Sequence, residues 1–406
     1  MGERTLQDLQ MKQALPLSVK ILLTKDRIRQ WVNEFGEDGV YVSFSGGKDS
    51  TVLLHLVREL YPDVEGVFCD TGLEYPEIRE FVKTFDNIIW LKPKMNFKQV
   101  IDKYGYPFIS KEVSETIEEA KKYLTRYNAE NTTLTDRQTD RQTGIPNAYA
   151  MADMLGIDRR INKNNQEYQM LKKGIIPSKY KFGKPTRVLQ LEGKMPHKEN
   201  GVFTDEYSKQ YDKSRYRFLL DAPFDVSSKC CNVMKKQPMK EHIKETGKHP
   251  ITAQMASESK LRTSTWIKQG CNAFNAKNPI SNPMSFWTEQ DVLLYIYQNH
   301  LPICSVYGEI VKDNDVDGQT DWEDLGLFDI GVPVLRTTGC NRTGCMFCGF
   351  GCHLEPEGQG RFEKMKVTHP KQYEWIMKPW DEGGLGYKDV IDWINEHNGK
   401  GRIIRY

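Results

Sequence analysis

The sequence predicts an α/β protein built on a parallel sheet, and three neighbouring segments carry that prediction. A β-branched and aromatic run from Val40 to Phe44 reads as a buried strand. Apolar residues at helical spacing follow in Val52, Leu53, Leu56, Val57 and Leu60. A second apolar run, Val64 to Phe68, ends at Cys69-Asp70. Strand, loop, helix and strand in that order form a βαβ unit, whose crossover makes the two strands parallel. Ligands of such sheets sit at the carboxyl ends of the strands, where the Ser45 loop and Asp70 both fall.

The remaining elements follow from the same periodicities. Ser18 to Gly36 predicts an amphipathic helix through Ile21, Ile28, Trp31, Val32 and Phe35, with Gly36 placed to end it. Trp287 to Tyr297 predicts another core helix, and Phe362 to Ile404 a helical end. Residues 111–217 are polar and include the tandem repeat Thr135-Asp136-Arg137-Gln138-Thr139-Asp140-Arg141-Gln142-Thr143, which has no apolar face to bury. This stretch is expected to be a mostly helical insertion or a solvated linker. The resulting division is residues 1–110 and 218–335 as two halves of one nucleotide domain, 111–217 as insertion, 336–355 as a Cys-rich segment and 356–406 as a helical tail.

Composition sets the limits on function. The chain has 406 residues, 28% charged and 38% hydrophobic, and no run reaches the roughly 18 apolar residues of a membrane span. Its first 23 residues mix charges among apolar positions, unlike a signal peptide, so a cytoplasmic setting is expected. A net charge of +2 excludes a global pull on nucleic acid, although residues 121–200 hold sixteen Lys/Arg against eight Asp/Glu. Nine cysteines in such a compartment point to metal binding or catalysis rather than disulfides.

The loop Ser45-Gly46-Gly47-Lys48-Asp49-Ser50 is the first candidate site. Gly46 and Gly47 permit a sharp turn whose N–H groups point inward at a helix N-terminus, an anion cradle. Lys48 adds a point charge, Ser45 and Ser50 add hydroxyls, and Asp49 is placed to hold Mg²⁺ or to cap the helix. The string resembles the loop of the N-type ATP pyrophosphatases, where it grips departing pyrophosphate. Asp70-Thr71-Gly72-Leu73-Glu74-Tyr75-Pro76-Glu77 resembles the nucleotide-lining segment of the phosphoadenosine phosphosulfate (PAPS) reductase family. Glu258-Ser259 with Arg262, and Pro283 to Val292 followed by Leu301-Pro302, are similar to later motifs of that family. The resemblance spans about residues 38–110 and 220–350 and implies a Rossmann-like, adenine nucleotide α-hydrolase-like fold. It also implies ATP as ligand of Ser45 to Ser50, Asp70, Thr71, Gly72, Glu258 and Ser259, with Lys48, Asp49 and Arg262 acting on the phosphates. Sulfonucleotide reductases alter the phosphate loop and end in a Cys-Gly-Leu-His tail, whereas this chain keeps Ser-Gly-Gly-Lys-Asp-Ser and ends without cysteine. An ATP-using sulfurtransferase relative is therefore expected.

Cys340, Cys345, Cys348 and Cys352 fall within thirteen residues, and Cys230-Cys231 lies upstream. Thiolates at such spacing suit zinc or an iron–sulfur cluster. The pair Cys230-Cys231 with Cys345-Met346-Phe347-Cys348 resembles the pattern that holds a [4Fe-4S] cluster in adenylylsulfate reductases, which implies those four cysteines as ligands. The set Cys340, Cys345, Cys348 and Cys352 stays open beside it. Cys69, Cys271 and Cys304 are isolated and read as small hydrophobes. His353 reads as an orienting group beside the thiols, and Arg342 and Arg361 as contacts for an anionic substrate. Asp313 to Asp324 resembles the start of a calcium loop but lacks its bidentate Glu, so a solvated acidic loop is expected.

Three functions fit these residues. The first is an enzyme that adenylates an unidentified substrate with ATP and supports sulfur transfer, with a sulfur-donor protein or nucleic acid as candidate partners. The second is a sulfonucleotide reductase that uses an external thiol. The third is a nucleotide- or nucleic-acid-binding regulator without turnover.

Overall fold

The βαβ unit forms as the sequence pattern requires. In the computed structural model, which describes residues 4–130, 186–199, 202–312 and 334–406, Val40–Ser43 (β1) and Gly66–Cys69 (β2) pair in parallel with Val42 opposite Gly66. The helix Lys48–Arg58 connects them, and Val52, Leu53, Leu56 and Val57 on it are fully buried. Ile88–Leu91 (β3) extends the sheet on one side, and His249–Ile251 (β4), Asn272–Ala273 (β5) and Ile280–Ser281 (β6) extend it on the other. The order is β3-β2-β1-β4-β6-β5, parallel throughout except for β5 against β6. Hence β1 lies at the centre of the sheet, and its carboxyl end delivers the Ser45 loop.

These strands belong to one of two structural units. Unit 1 comprises residues 1–97 and 232–346, and unit 2 comprises residues 98–231 and 347–406. In unit 1 the helix Leu17–Phe35 buries Ile28, Trp31 and Val32, and Gly36 ends it at φ +79°. The helix Glu289–Gln298 starts at a capping box, in which the Thr288 hydroxyl and the Asp291 carboxylate each accept a backbone amide. Asp291 also takes the buried Lys20 ammonium at 2.7 Å, and the Trp287 indole donates to Thr24 Oγ1 at 2.8 Å. One carboxylate thus ties the second helix to the later half of the unit.

In unit 2, Phe108–Ile109 pairs in parallel with Gly349–Phe350, and the aromatic side chains Phe108, Phe362 and Tyr387 are fully buried around that pair. Ile109 sits at φ +67°, a strained setting for a β-branched residue. The expected helical end appears as Arg361–Thr368, Pro370–Met377 and Tyr387–His397. Among the described residues no helix is long and apolar enough to cross a membrane. The tandem repeat at 135–143 and the acidic stretch 313–324 lie outside the described residues.

Candidate functional site

Steric constraint shapes the phosphate loop. Gly46 turns at φ +68°, and a Cβ there would lie 2.8 Å from a Val82 methyl and 2.9 Å from an Ile78 methyl. Both neighbours sit on the helix Pro76–Lys83 and are buried, so the loop has no room for any other residue. Gly47 is the N-cap of Lys48–Arg58 and receives no side-chain cap; Asp49 lies in the first turn and does not cap it. The engaged loop amides meet hydroxyls. Ser45 N–H donates to Ser50 Oγ at 3.2 Å, Gly47 N–H to Ser45 Oγ at 3.3 Å and Lys48 N–H to Tyr307 OH at 3.3 Å. Side-chain hydroxyls, not main-chain carbonyls, are the partners of these three amides.

Charges converge on the same turn. The Lys48 side chain is almost fully buried, and its ammonium donates to Glu289 Oε1 and to the Asn341 carbonyl, both at 2.5 Å. The Asp49 Oδ1 atom is buried with no hydrogen-bond partner. Burial pushes the Asp49 carboxyl above its ordinary range, Lys48 opposes that and Glu289 reinforces it. Asp49 and, on release from Lys48, Glu289 are carboxylates that could hold Mg²⁺, which typically takes one or two of them together with substrate phosphates. Glu258 draws two cations, forming an ion pair with Arg262 and another with Arg342 at 3.6 Å. Both guanidiniums are felt by Asp49. Ser259 acts as the N-cap of the helix Lys260–Gln269, accepting the Arg262 amide at 3.3 Å.

The second predicted segment forms a tight loop after β2. Asp70 is buried, pairs with Arg79 at 2.8 Å and accepts the Gly72 amide at 3.2 Å. Thr71 donates its hydroxyl to the Glu74 carboxylate at 2.8 Å. Glu74 in turn pairs with Lys235 at 3.3 Å, and Lys235 sits in a π-helical turn, Asn232–Lys236, a feature enriched at functional sites. Burial works against the Lys235 ammonium, yet Cys345 and Glu74 beside it raise its proton affinity overall. Cys69 donates to the Met234 carbonyl at 3.2 Å, and burial, then Glu74, pushes its thiol up to about 11.

Residues 341–346 are laid across both loops. The Asn341 carbonyl holds Lys48, the Thr343 hydroxyl bonds Tyr307 OH at 2.6 Å and the Met346 amide donates to the Leu73 carbonyl at 2.8 Å. A cavity of about 150 Å³ remains, lined by Ser45, Cys69, Glu74, Lys235, Thr343 and Gly344. Sequence reasoning missed Glu289, Tyr307, Asn341, Thr343 and Lys235 as site residues. Glu289 stands inside the family-like string Pro283 to Val292, and that was the signal available for it.

The candidate metal thiols divide between the units. Cys345 lies in unit 1, and Cys230, Cys231 and Cys348 lie in unit 2. In unit 2, burial and then Cys348 and Cys230 push the Tyr387 hydroxyl far up; it donates to the Phe347 carbonyl at 2.6 Å. Burial raises the Cys348 thiol, with Cys231 among the further causes. Of the alternative set, Cys352 donates to the Gly349 carbonyl at 2.7 Å and is pushed up to about 12 by burial, while Cys340 lies in unit 1. Among the described residues no three His, Cys, Asp or Glu side chains are assembled as a metal-holding group. His353 lies 3.3 Å from Tyr216 OH, and Arg361 pairs with Glu355 and donates to the Cys348 carbonyl at 2.6 Å.

The phosphoadenosine phosphosulfate reductase domain matches residues 39–146 and 186–349. An uncharacterized protein of Methanocaldococcus jannaschii is 38% identical over 96 residues, 22% of this chain and 23% of that one. A phosphoadenosine 5'-phosphosulfate reductase of Xylella fastidiosa is 31% identical over 83 residues, 20% of this chain and 35% of that one. An adenosine 5'-phosphosulfate reductase of Geobacillus kaustophilus is 37% identical over 70 residues, 17% of this chain and 27% of that one. The chain therefore spans about a quarter to a third of the length of these relatives.

The half-buried Asp49 carboxyl, its Oδ1 shielded from solvent, yields a prediction with a definite sign. Its folded-state proton affinity is raised, so the folded chain binds the proton more tightly than the unfolded chain does, and stability falls as pH rises through that range. Asp49→Asn is expected to raise the urea midpoint at neutral pH in Mg²⁺-free buffer and to weaken Mg²⁺-dependent ATP binding. A lowered midpoint would show that the carboxylate is satisfied in the ligand-free fold.

Proposed function

The chain belongs to the phosphoadenosine phosphosulfate reductase domain family, and from that premise we propose that it cleaves ATP to AMP and pyrophosphate to adenylate a substrate for sulfur transfer. One observation carries this reading. The intact phosphate loop and the segment leading to Cys345 border a single cavity in unit 1, so nucleotide and thiol chemistry adjoin.

In this reaction a substrate oxygen attacks the α-phosphorus, the new P–O bond forms, and the bond to the β-phosphate oxygen breaks with its electron pair leaving on pyrophosphate. The loop amides and Lys48 stabilise that leaving charge, and Lys48 exchanges Glu289 or the Asn341 carbonyl for phosphate oxygens. Asp49, with Glu289, would hold Mg²⁺. Arg262 and Arg342 are held by Glu258 beside Asp49, where they can bear on the α-phosphate. A sulfur nucleophile then displaces AMP from the adenylated carbon.

The thiols Cys230, Cys231, Cys345 and Cys348 suit a [4Fe-4S] cluster by donor type, with zinc as the alternative metal. With all four irons held by thiolates, such a cluster would supply a redox-active, charged group beside the nucleotide site rather than an open iron. Both candidate sets share Cys345 and Cys348, and the resemblance favours the one with Cys230 and Cys231. None of the nine cysteines is in a disulfide. A second reading, sulfonucleotide reduction with an external thiol, draws support from the named reductases among the relatives.

Two measurements separate these readings and test the metal. Radiolabelled ATP is expected to give AMP and pyrophosphate with an acceptor substrate, and Lys48→Ala is expected to slow this by about 100-fold or more. Sulfite release from PAPS or adenylylsulfate, with tighter binding of either than of ATP, would replace this reading by reduction. Anaerobically purified protein is expected to carry about four irons per chain, lost on Cys348→Ser. Stoichiometric zinc without iron would leave the thiols structural.

A further inference from the structure

A second, larger cleft lies in unit 1, outside the phosphate site. It encloses about 850 Å³, against about 150 Å³ beside the phosphate loop, and falls in the roughly 300–1,000 Å³ range of small-molecule sites. Four cations line it from three segments of the fold: Arg4 and Lys12 flank and occupy the first helix, Leu6–Gln13, Arg27 lies on Leu17–Phe35, and Lys268 on Lys260–Gln269. Its wall also carries Trp266 and Phe274, which give it an apolar floor.

The charge balance there is lopsided. Asp8 is the one carboxylate in the lining, and its oxygen is taken by the Thr5 amide and hydroxyl at 2.7 and 2.8 Å in a capping box. Arg27 has a long contact with Asp26 at 3.8 Å, while among the described residues Arg4, Lys12 and Lys268 form no ion pair. Four cations against one committed acid contrast with a whole-chain net charge of only +2. The site is also shaped to hold Arg4. Its guanidinium donates to the Gln269 carbonyl at 3.5 Å and lies against Gly270, where an added Cβ would come within 2.8 Å of it. Arg27 is fixed as well, by Gln30 Oε1 at 2.7 Å.

We propose that this cleft is a second ligand site that binds a nucleoside phosphate, its phosphates on the Arg4, Lys12, Arg27 and Lys268 cations and its base over the apolar floor. A multiply charged anion matches the excess of cations over carboxylates, and a flat heteroaromatic body matches the half-exposed Phe274 better than an inorganic anion does. The helix Lys260–Gln269 separates the two sites. Arg262 lies at the end near Asp49 and Lys268 at the end in the cleft, and ten residues at about 1.5 Å per residue place the ends about 15 Å apart. The ligand is either a free nucleotide or the phosphorylated end of a strand, because both present the same chemistry.

Calorimetric titration of the full chain with ADP tests the site. Wild type is expected to take up ADP at the cleft, and Lys12→Glu/Lys268→Glu is expected to weaken that event by about tenfold or more while leaving AMP formation from ATP unchanged. Lys268→Glu alone, at an exposed position, is expected to give a smaller loss in the same direction and guards against misfolding of the double variant. ADP binding that persists in Lys48→Ala and disappears on charge reversal supports the cleft even if the phosphate loop proves inactive. ADP binding unaffected by charge reversal, or pyrophosphate binding as tightly as ADP at the charge-sensitive site, overturns it. A 5'-phosphorylated oligonucleotide competing better than ADP identifies a strand end; weaker competition identifies the free nucleotide.

Discussion

Two methyl groups decide how the candidate site is built. Val82 and Ile78 press against Gly46 so closely that the chain can pass only as glycine, in a left-handed turn, at the tip of the central strand. That turn sends the chain straight into the helix Lys48–Arg58 without a side-chain cap, leaving the first amides to hydroxyls and to an incoming anion. The pressing helix begins immediately after the Asp70–Glu74 loop. The two nucleotide-facing segments therefore depend on one another's packing.

The second constraint is electrostatic. A buried ammonium and a half-buried carboxyl lie next to each other in sequence, and the fold treats them unequally. Lys48 is held between a carboxylate and a carbonyl, while Asp49 is left with an oxygen that nothing satisfies. An unsatisfied buried polar atom costs on the order of 1–3 kcal/mol until a partner reaches it. Residues 341–346 close the arrangement, joining Lys48, Tyr307 and Leu73 before the chain reaches Cys345.

How much of this was legible follows from sequence distance. The βαβ unit was readable because strand, glycine turn and helix are contiguous, and the first long helix was placed within one residue at each end. Ser259 was singled out from a motif, and its observed contact is a helix cap, a local role that short motifs do not separate from ligand binding. Glu289, Asn341 and Tyr307 meet Lys48 from 241 to 293 positions away, and no periodicity reports such contacts. The π-turn at Lys235 has no residue pattern of its own. The cationic cleft was equally invisible, because Arg4 and Gln269 stand 265 positions apart.

Hydrogen exchange with and without Mg²⁺-ATP, read peptide by peptide, tests the central claim most directly. If the glycine turn holds the triphosphate, ATP slows exchange across residues 44–51 and across 341–346, the two stretches that meet at Lys48. Bound ATP that leaves both stretches exchanging at their ligand-free rates would contradict the account.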